Sequence, residues 1–190
     1  MPNLSSVSPL LIVIGIIALL AVWVVSTYNN LIKLRNRSDE AFSAMDVHLM
    51  KRYDLIPNLV ETVKGYAKHE KETLENVVAA RANAMNAQGM EDKLAAEGDL
   101  SRALGRLMAI TEAYPDLKAN ENFLDLQQSL KNMEAEIAGA RRFYNATVTQ
   151  YNTKIDVVPS NIIAGIFGFV KKVLFEVTDE TQRENVRVEF

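Results

Sequence analysis

Cysteine is absent from the 190 residues, which excludes disulfides and thiolate metal sites. Only eight glycines and five prolines interrupt the chain, so long helices meet few breaks, and short β-branched runs bounded by turns are scarce. There are two histidines, and neither has a partner at ligand spacing. His69-Glu70 looks like the start of a zinc-protease helix, but Thr73 stands where the second histidine is needed. His48 falls on the polar-leaning side of a predicted helix. No Gly-rich phosphate loop, nucleophile elbow or acidic calcium loop is present. The Glu-x-x-His pattern of carboxylate-bridged metal bundles is missing as well. Glu121, Asp125, Glu134 and Glu136 read as solvated helix faces. No catalytic residue, metal ligand or cofactor is therefore expected, and an enzyme is not the expectation. A net charge of -3 with both signs interspersed argues against nucleic acid as a partner.

Charge is also absent from one whole region: no Asp, Glu, Lys or Arg occurs before Lys33. Residues 10–25 are apolar throughout apart from Gly15. Residues 9–28 supply the roughly 20 positions that a helix needs to cross a bilayer, with Leu10, Ile14 and Leu19 in the span and Trp23 and Tyr28 towards its far end, where amphipathic rings favour the headgroup zone. A cleaved signal peptide would carry a basic start and a small-x-small site, and neither is found. A retained single-pass anchor is expected instead. Lys33, Arg35 and Arg37 follow the span closely, so the positive-inside bias places the C-terminal part in the cytoplasm. Three cations fall short of the cluster expected for lipid-specific recognition.

The remaining length suits one domain, and its apolar residues recur at spacings of three and four. Phe123, Leu126, Leu130, Met133, Ile137, Ala140, Tyr144, Thr147 and Tyr151 predict a long helix over 120–155, capped by Asn120 or Asn122. Leu31, Leu34, Ala41, Met45, Leu49, Ile56, Leu59 and Val63, broadened by Phe42, Tyr53 and Val60, predict a core-facing helix continuous with the span. Pro57 should disturb it, because the carbonyl of Tyr53 loses its donor. Further helices are predicted over 70–86, with Leu74, Val77, Val78 and Arg81 on one side, and over 91–114, with Leu100, Leu104, Leu107 and Met108. Gln88-Gly89 and Pro115-Asp116 act as stops. The join at Gly65-Tyr66 stays open. A turn there gives four helices running up and down, whereas helix-favouring residues 68–72 would also allow one helix as far as Asn86.

Two short segments stand out. Residues 157–175 open with Val157-Val158-Pro159-Ser160-Asn161 and continue as a short apolar helix capped by Ser160 or Asn161. In one reading this helix covers the end of the bundle core. In the other, Ile162, Ile163, Ile166, Phe167, Phe169 and Phe175 meet the membrane interface or a second subunit, with Lys171 and Lys172 reaching phosphate. The tail over 185–190 alternates apolar and polar residues and reads as a mobile end. The second segment holds Arg52, Asp54 and Asn58 beside Pro57. It reads either as a structural polar group, with Asn58 or a water satisfying the carbonyl freed by Pro57 and Asp54 pairing with Arg141 or Arg142, or as a partner-binding notch.

Arg52-Tyr53-Asp54-Leu55-Ile56-Pro57-Asn58-Leu59-Val60, followed by Val63-Lys64-Gly65-Tyr66-Ala67-Lys68-His69-Glu70, resembles the central signature of the LemA family. Tyr114-Pro115-Asp116-Leu117-Lys118-Ala119-Asn120-Glu121-Asn122-Phe123 is similar to its second signature. Arg141-Arg142-Phe143-Tyr144-Asn145 and Tyr151-Asn152-Thr153-Lys154, with Pro159-Ser160-Asn161, are similar to its third. The resemblance implies an all-α fold: an N-terminal transmembrane helix continuing into an antiparallel four-helix up-and-down bundle, with a turn between Gly65 and His69. The implied organisation is a tail over 1–8, a span over 9–28, a bundle over 29–156 and a C-terminal apolar helix and tail over 157–190 that returns towards the bilayer. No enzymatic activity is established for the family. Some relatives are associated with internal membranes, and its genes often neighbour membrane metalloproteases. The expectation is therefore a membrane scaffold that forms a homo-oligomer on a lipid bilayer, or alternatively an adaptor for a membrane protease or envelope-stress system.

Overall fold

The computed structural model describes residues 9–175; the expected N-terminal tail over 1–8 and the alternating tail over 185–190 lie outside them. Six helices follow one another: α1 (Pro9–Tyr66), α2 (Lys71–Asn86), α3 (Met90–Thr111), α4 (Pro115–Lys118), α5 (Glu121–Asp156) and α6 (Ser160–Ile166). Among the described residues there is no strand. α1 carries the apolar run and is long and apolar enough to cross a membrane by length and composition.

The open join resolves into a turn. α1 stops at Tyr66, and the Glu70 N–H donates to the Ala67 carbonyl at 3.1 Å. Two side-chain bonds fasten this turn to the one before α5. The Tyr114 hydroxyl donates to Glu70 at 3.0 Å, and the Asn120 amide donates to the Tyr66 hydroxyl at 3.0 Å. Asn120 also caps α5 as its residue type predicts: its Oδ1 accepts the Phe123 N–H at 2.9 Å. Pro115 does more than end α3, because it begins the single-turn α4 at a first-turn position, where its missing N–H costs nothing. Gly89 precedes α3 at φ +85°, a left-handed conformation that suits glycine.

The chain divides into two compact units. Among the described residues, the first comprises 9–41 together with Asn145–Lys172, and the second comprises Phe42–Tyr144 together with 173–175. The core of the second unit follows the predicted seams. Met45, Leu49, Tyr53, Ile56, Leu59 and Val63 of α1, Leu100, Leu104 and Leu107 of α3, and Phe123, Leu130, Ile137 and Tyr144 of α5 are all buried. α2 packs on α3, contributing Leu74, Val77, Ala80 and Ala84, while Val78 is 48% exposed.

The first unit has a smaller core. Leu31, Ile163 and Ala164 are buried together, with Trp23, Val24, Tyr28, Ile155 and Phe169 packed against them. α6 is shorter than the apolar stretch that predicts it, because Gly168 at φ +68° reverses the chain. The Phe169 N–H then bonds the Ala164 carbonyl at 2.9 Å, and the Gly168 N–H bonds that of Gly165 at 3.4 Å. This is the paired-bond helix ending that a left-handed glycine permits. Ser160 is not the expected cap. Its hydroxyl instead donates backwards to the carbonyls of Lys154 at 2.7 Å and Val157 at 3.0 Å.

Candidate functional site

Two places concentrate unusual chemistry, one in each unit. In the second unit, Arg52 and Glu97 are both fully buried, each occupying a seam position where an apolar residue is usual. The Arg52 guanidinium donates to Glu97, to Glu134 at 2.5 Å and to Ser101 at 3.3 Å. The Tyr53 hydroxyl donates to the other Glu97 oxygen, so both carboxylate oxygens are engaged. Burial, and next the hydrogen bond to Glu97, push the Tyr53 phenol well above its ordinary value, and it stays neutral. Arg141 is lowered, first by burial and then by the like charge of Arg52, with Glu134 and Glu97 opposing. A buried ion pair recovers its desolvation cost only when its remaining polar groups are also matched; here Arg52 Nε is buried without a hydrogen-bond partner. The cluster joins α1, α3 and α5 through its own side chains, leaving no carboxylate oxygen of Glu97 for a ligand.

Pro57 finds a partner that the sequence did not suggest. The Tyr53 carbonyl accepts Arg81 Nε, from α2, at 2.7 Å. Asn58 is exposed, and its backbone carbonyl accepts the Thr62 hydroxyl at 2.8 Å. The expected pairing of Asp54 with Arg141 or Arg142 does not form. Asp54 lies on the exposed face of α1, about 200° around the helix from the inward-facing Arg52. The structure thus separates Arg52 from Asp54 and Asn58. Glu134 and Glu136, read from the sequence as merely solvated, have partners: Arg52 for Glu134, and His48 at 2.9 Å for Glu136. Glu97 escaped notice although a signal existed. It precedes Leu100, Leu104, Leu107 and Thr111 at steps of three and four, and Arg52 sits in the same way between Leu49 and Ile56. Opposite charges on two seams identify a buried pair.

In the first unit, α6 and the turn after it lie against α1. Tyr28 meets the rings of Phe167 (4.8 Å between centroids) and Phe169 (5.7 Å), and the Arg35 guanidinium lies 5.8 Å from the Phe169 ring centre. Asn152 holds both backbone groups of Lys172, accepting its N–H at 2.9 Å and donating to its carbonyl at 2.8 Å. The lysines expected to reach phosphate are paired with carboxylates: Lys171 with Asp156 at 2.8 Å and Lys172 with Asp39. Tyr151, beneath Lys172, is raised by burial, with Asp39 adding and Arg35 opposing. Of the residues singled out, Ile163 is buried, whereas Ile162, Ile166 and Phe167 are exposed. Leu10, Ile14 and Leu19 are exposed and Trp23 and Tyr28 half-buried. Phe175 belongs to the second unit, buried with its ring 4.3 Å from the Arg141 guanidinium.

An all-helical chain with an apolar leading helix and a charge pair sealed between seams is the class these features define. Residues 41–190 match the LemA family, and the chain belongs to it. It is 27% identical to the magnetosome protein MamQ 1 of Paramagnetospirillum magneticum, over 86% of this chain and 70% of that protein. It is similarly 27% identical to the magnetosome protein MamQ of Magnetospirillum gryphiswaldense, over 87% and 71%. Protein LemA of Metamycoplasma hominis is 24% identical, over 80% and 69%.

Proposed function

We propose that this protein is a single-pass protein of the bacterial cytoplasmic membrane, acting without enzymatic activity as a self-associating scaffold that organises the bilayer around it. The observation carrying this reading is the exposure of the apolar run on α1, with Leu10 66%, Leu19 73% and Val22 67% exposed. Side chains of that size leave water only if lipid or protein covers them. Residues 9–28 then span, and Lys33, Arg35 and Arg37 hold the following residues on the cytoplasmic side. The reading takes α1, α2, α3 and α5 as an antiparallel up-and-down bundle. In support, Arg52, Glu97 and Glu134 connect α1, α3 and α5, and Arg81 of α2 reaches Tyr53 of α1. Similarity to proteins named for magnetosomes favours a role in membrane organisation. Its partners are the lipid bilayer and further copies of itself; no nucleic acid is involved.

Crosslinking the full-length protein in reconstituted bilayers tests this. Homo-oligomers should be trapped at dilute protein-to-lipid ratios, and a strict monomer at every ratio overturns the scaffold reading. Asp54 and Asn58, facing outward, would serve the alternative of an adaptor for a membrane protease. Loss of one detergent-stable partner on Asp54→Ala and Asn58→Ala, without loss of helicity, would favour that alternative.

A further inference from the structure

α6 and its following turn combine two properties that conflict in water. The segment is pinned firmly, by the back-bonded Ser160 hydroxyl, the Gly168 helix ending and the double bond from Asn152 to Lys172. Yet it presents Val158 (77% exposed), Ile162, Ile166 (70%), Phe167 and Val170 (75%) outward. No charged residue occurs between Asp156 and Lys171, so the face has no charged rim of its own. Rigid display of a contiguous apolar face calls for something to cover it.

The position along α1 identifies the cover. The small core holding α6 includes Trp23, Val24, Tyr28 and Leu31. If the span ends at Tyr28, Val24 lies about 6 Å inside that boundary and Leu31 about 4.5 Å outside it, at 1.5 Å per residue. α6 therefore straddles the level where hydrocarbon gives way to headgroups, and that is the depth, about 5–10 Å, at which interfacial segments bury an apolar face. Elsewhere on α1 at the same level, Val22 and Val25 are exposed and apolar too, as lipid-facing side chains at that depth would be. Charge begins immediately beyond, with Lys33 and Arg35 on α1 and the ion-paired Lys171 and Lys172 after the turn.

We propose that α6 and the turn through Val170 form a second, interfacial contact with the bilayer, a collar around the exit of the anchor, with Ile162, Ile166, Phe167 and Val170 set among lipid chains. The occupant is lipid, because the level on α1 is fixed by the span and requires no second copy. The collar makes the protein a two-point membrane contact: the anchor fixes depth, and the collar fixes rotation of α1 about its own axis, since only one side of α1 carries it.

The collar rests on the membrane-spanning reading of α1, and one experiment separates the two. The sequence contains no cysteine, so the single substitutions Ile166→Cys and Leu19→Cys each place one environment-sensitive fluorophore on the full-length chain in phosphatidylcholine–phosphatidylglycerol vesicles. The expected result is a blue-shifted Ile166→Cys signal that is quenched more strongly by nitroxides high on the lipid chain than by nitroxides at its end. Leu19→Cys should show the reverse order. The Ile166→Cys pattern should persist when protein is diluted to one chain per vesicle. Quenching of Ile166→Cys by aqueous iodide, with Leu19→Cys still protected, overturns the collar alone. Protection of Ile166→Cys that vanishes on dilution assigns the face to a second copy and also overturns it. An iodide-accessible Leu19→Cys removes the span, and the collar with it.

Discussion

The first unit shows apolar side chains to its surroundings, and the second hides a charged pair from them. Both arrangements occur along α1. Residues 10–25 are apolar on every side and exposed on nearly every side, whereas residues 41–63 are apolar only along a stripe, and that stripe is buried. The difference lies in what surrounds the helix. A helix clothed by lipid needs continuous apolarity, while a helix clothed by protein needs a single stripe and keeps polar residues elsewhere. Arg52 is the exception within the stripe, tolerated because Glu97 and Glu134 meet it there.

That contrast breaks most readily at the buried pair. Arg52→Ala leaves Glu97 charged, buried and without its main partner, which should cost about 3–5 kcal/mol, read as a lowered urea midpoint by far-UV circular dichroism on detergent-solubilised protein. Replacing Arg52→Met, Glu97→Leu and Tyr53→Phe together should recover most of that loss, because an apolar group of similar volume needs no desolvation and no buried hydroxyl is left without its acceptor. If the triple variant is no better than the single one, the group is not acting as a unit. In the first unit the corresponding test is Leu31→Ala. It removes the side chain on which Ile163 and Ala164 rest, at a cost of about 3 kcal/mol. Hydrogen exchange should show it as faster exchange over 160–169, with the second unit unchanged; uniform acceleration throughout would deny that the two cores are separate.

Smaller effects sharpen the picture. Arg81→Ala strands the Tyr53 carbonyl that Pro57 leaves without a donor and should cost about 2 kcal/mol, measured by the same denaturation. Asn120→Ala removes the cap on α5, worth about 1 kcal/mol. The smallest effect comes with alkali. Tyr53 is raised above its ordinary value in the fold, so the unfolded chain releases this proton first as pH passes about 10. The folded state then binds more protons than the unfolded one, and stability falls as pH rises. The Tyr53 contribution is complete below about pH 9, and about 0.8 kcal/mol of it is lost by pH 10.5. Tyr53→Phe should abolish this part of the alkaline loss, seen as a shallower drop in urea midpoint than in the wild type.

The sequence spoke most clearly where one force dominated. Continuous apolarity marked the leading helix, and steps of three and four marked the seams on α1, α3 and α5, most of whose members are buried, with Leu34, Met108, Leu126, Met133 and Ala140 half-buried. Asn120 was legible as a cap because capping is a local interaction. What stayed hidden was non-local. Arg81 reaching Tyr53 joins residues 28 apart in sequence, and Glu97 finds Arg52 across 45. Local patterning points to the near neighbour Asn58 for the Tyr53 carbonyl and names no partner for Arg52. The length of α6 was misjudged because composition made Phe167 and Val170 look like continuing helix, and the left-handed turn at Gly168 decided otherwise. The pairing of Lys171 with Asp156 and of Lys172 with Asp39 was equally hidden, since these residues become neighbours only once the chain has folded.

Along its length α1 meets two different solvents, lipid and then protein. Single cysteines placed in turn at every position from residue 10 to 40 of the full-length chain in vesicles, and challenged with a membrane-impermeant maleimide, test that directly. The prediction is uniform silence through Tyr28 on all sides of the helix, with reactivity appearing from Asn29 and thereafter restricted to the face opposite Leu31, Ser38 and Ala41. A three-to-four-residue ripple of reactivity running back through residues 10–25 would mean that protein or water, and not lipid, surrounds the start of α1.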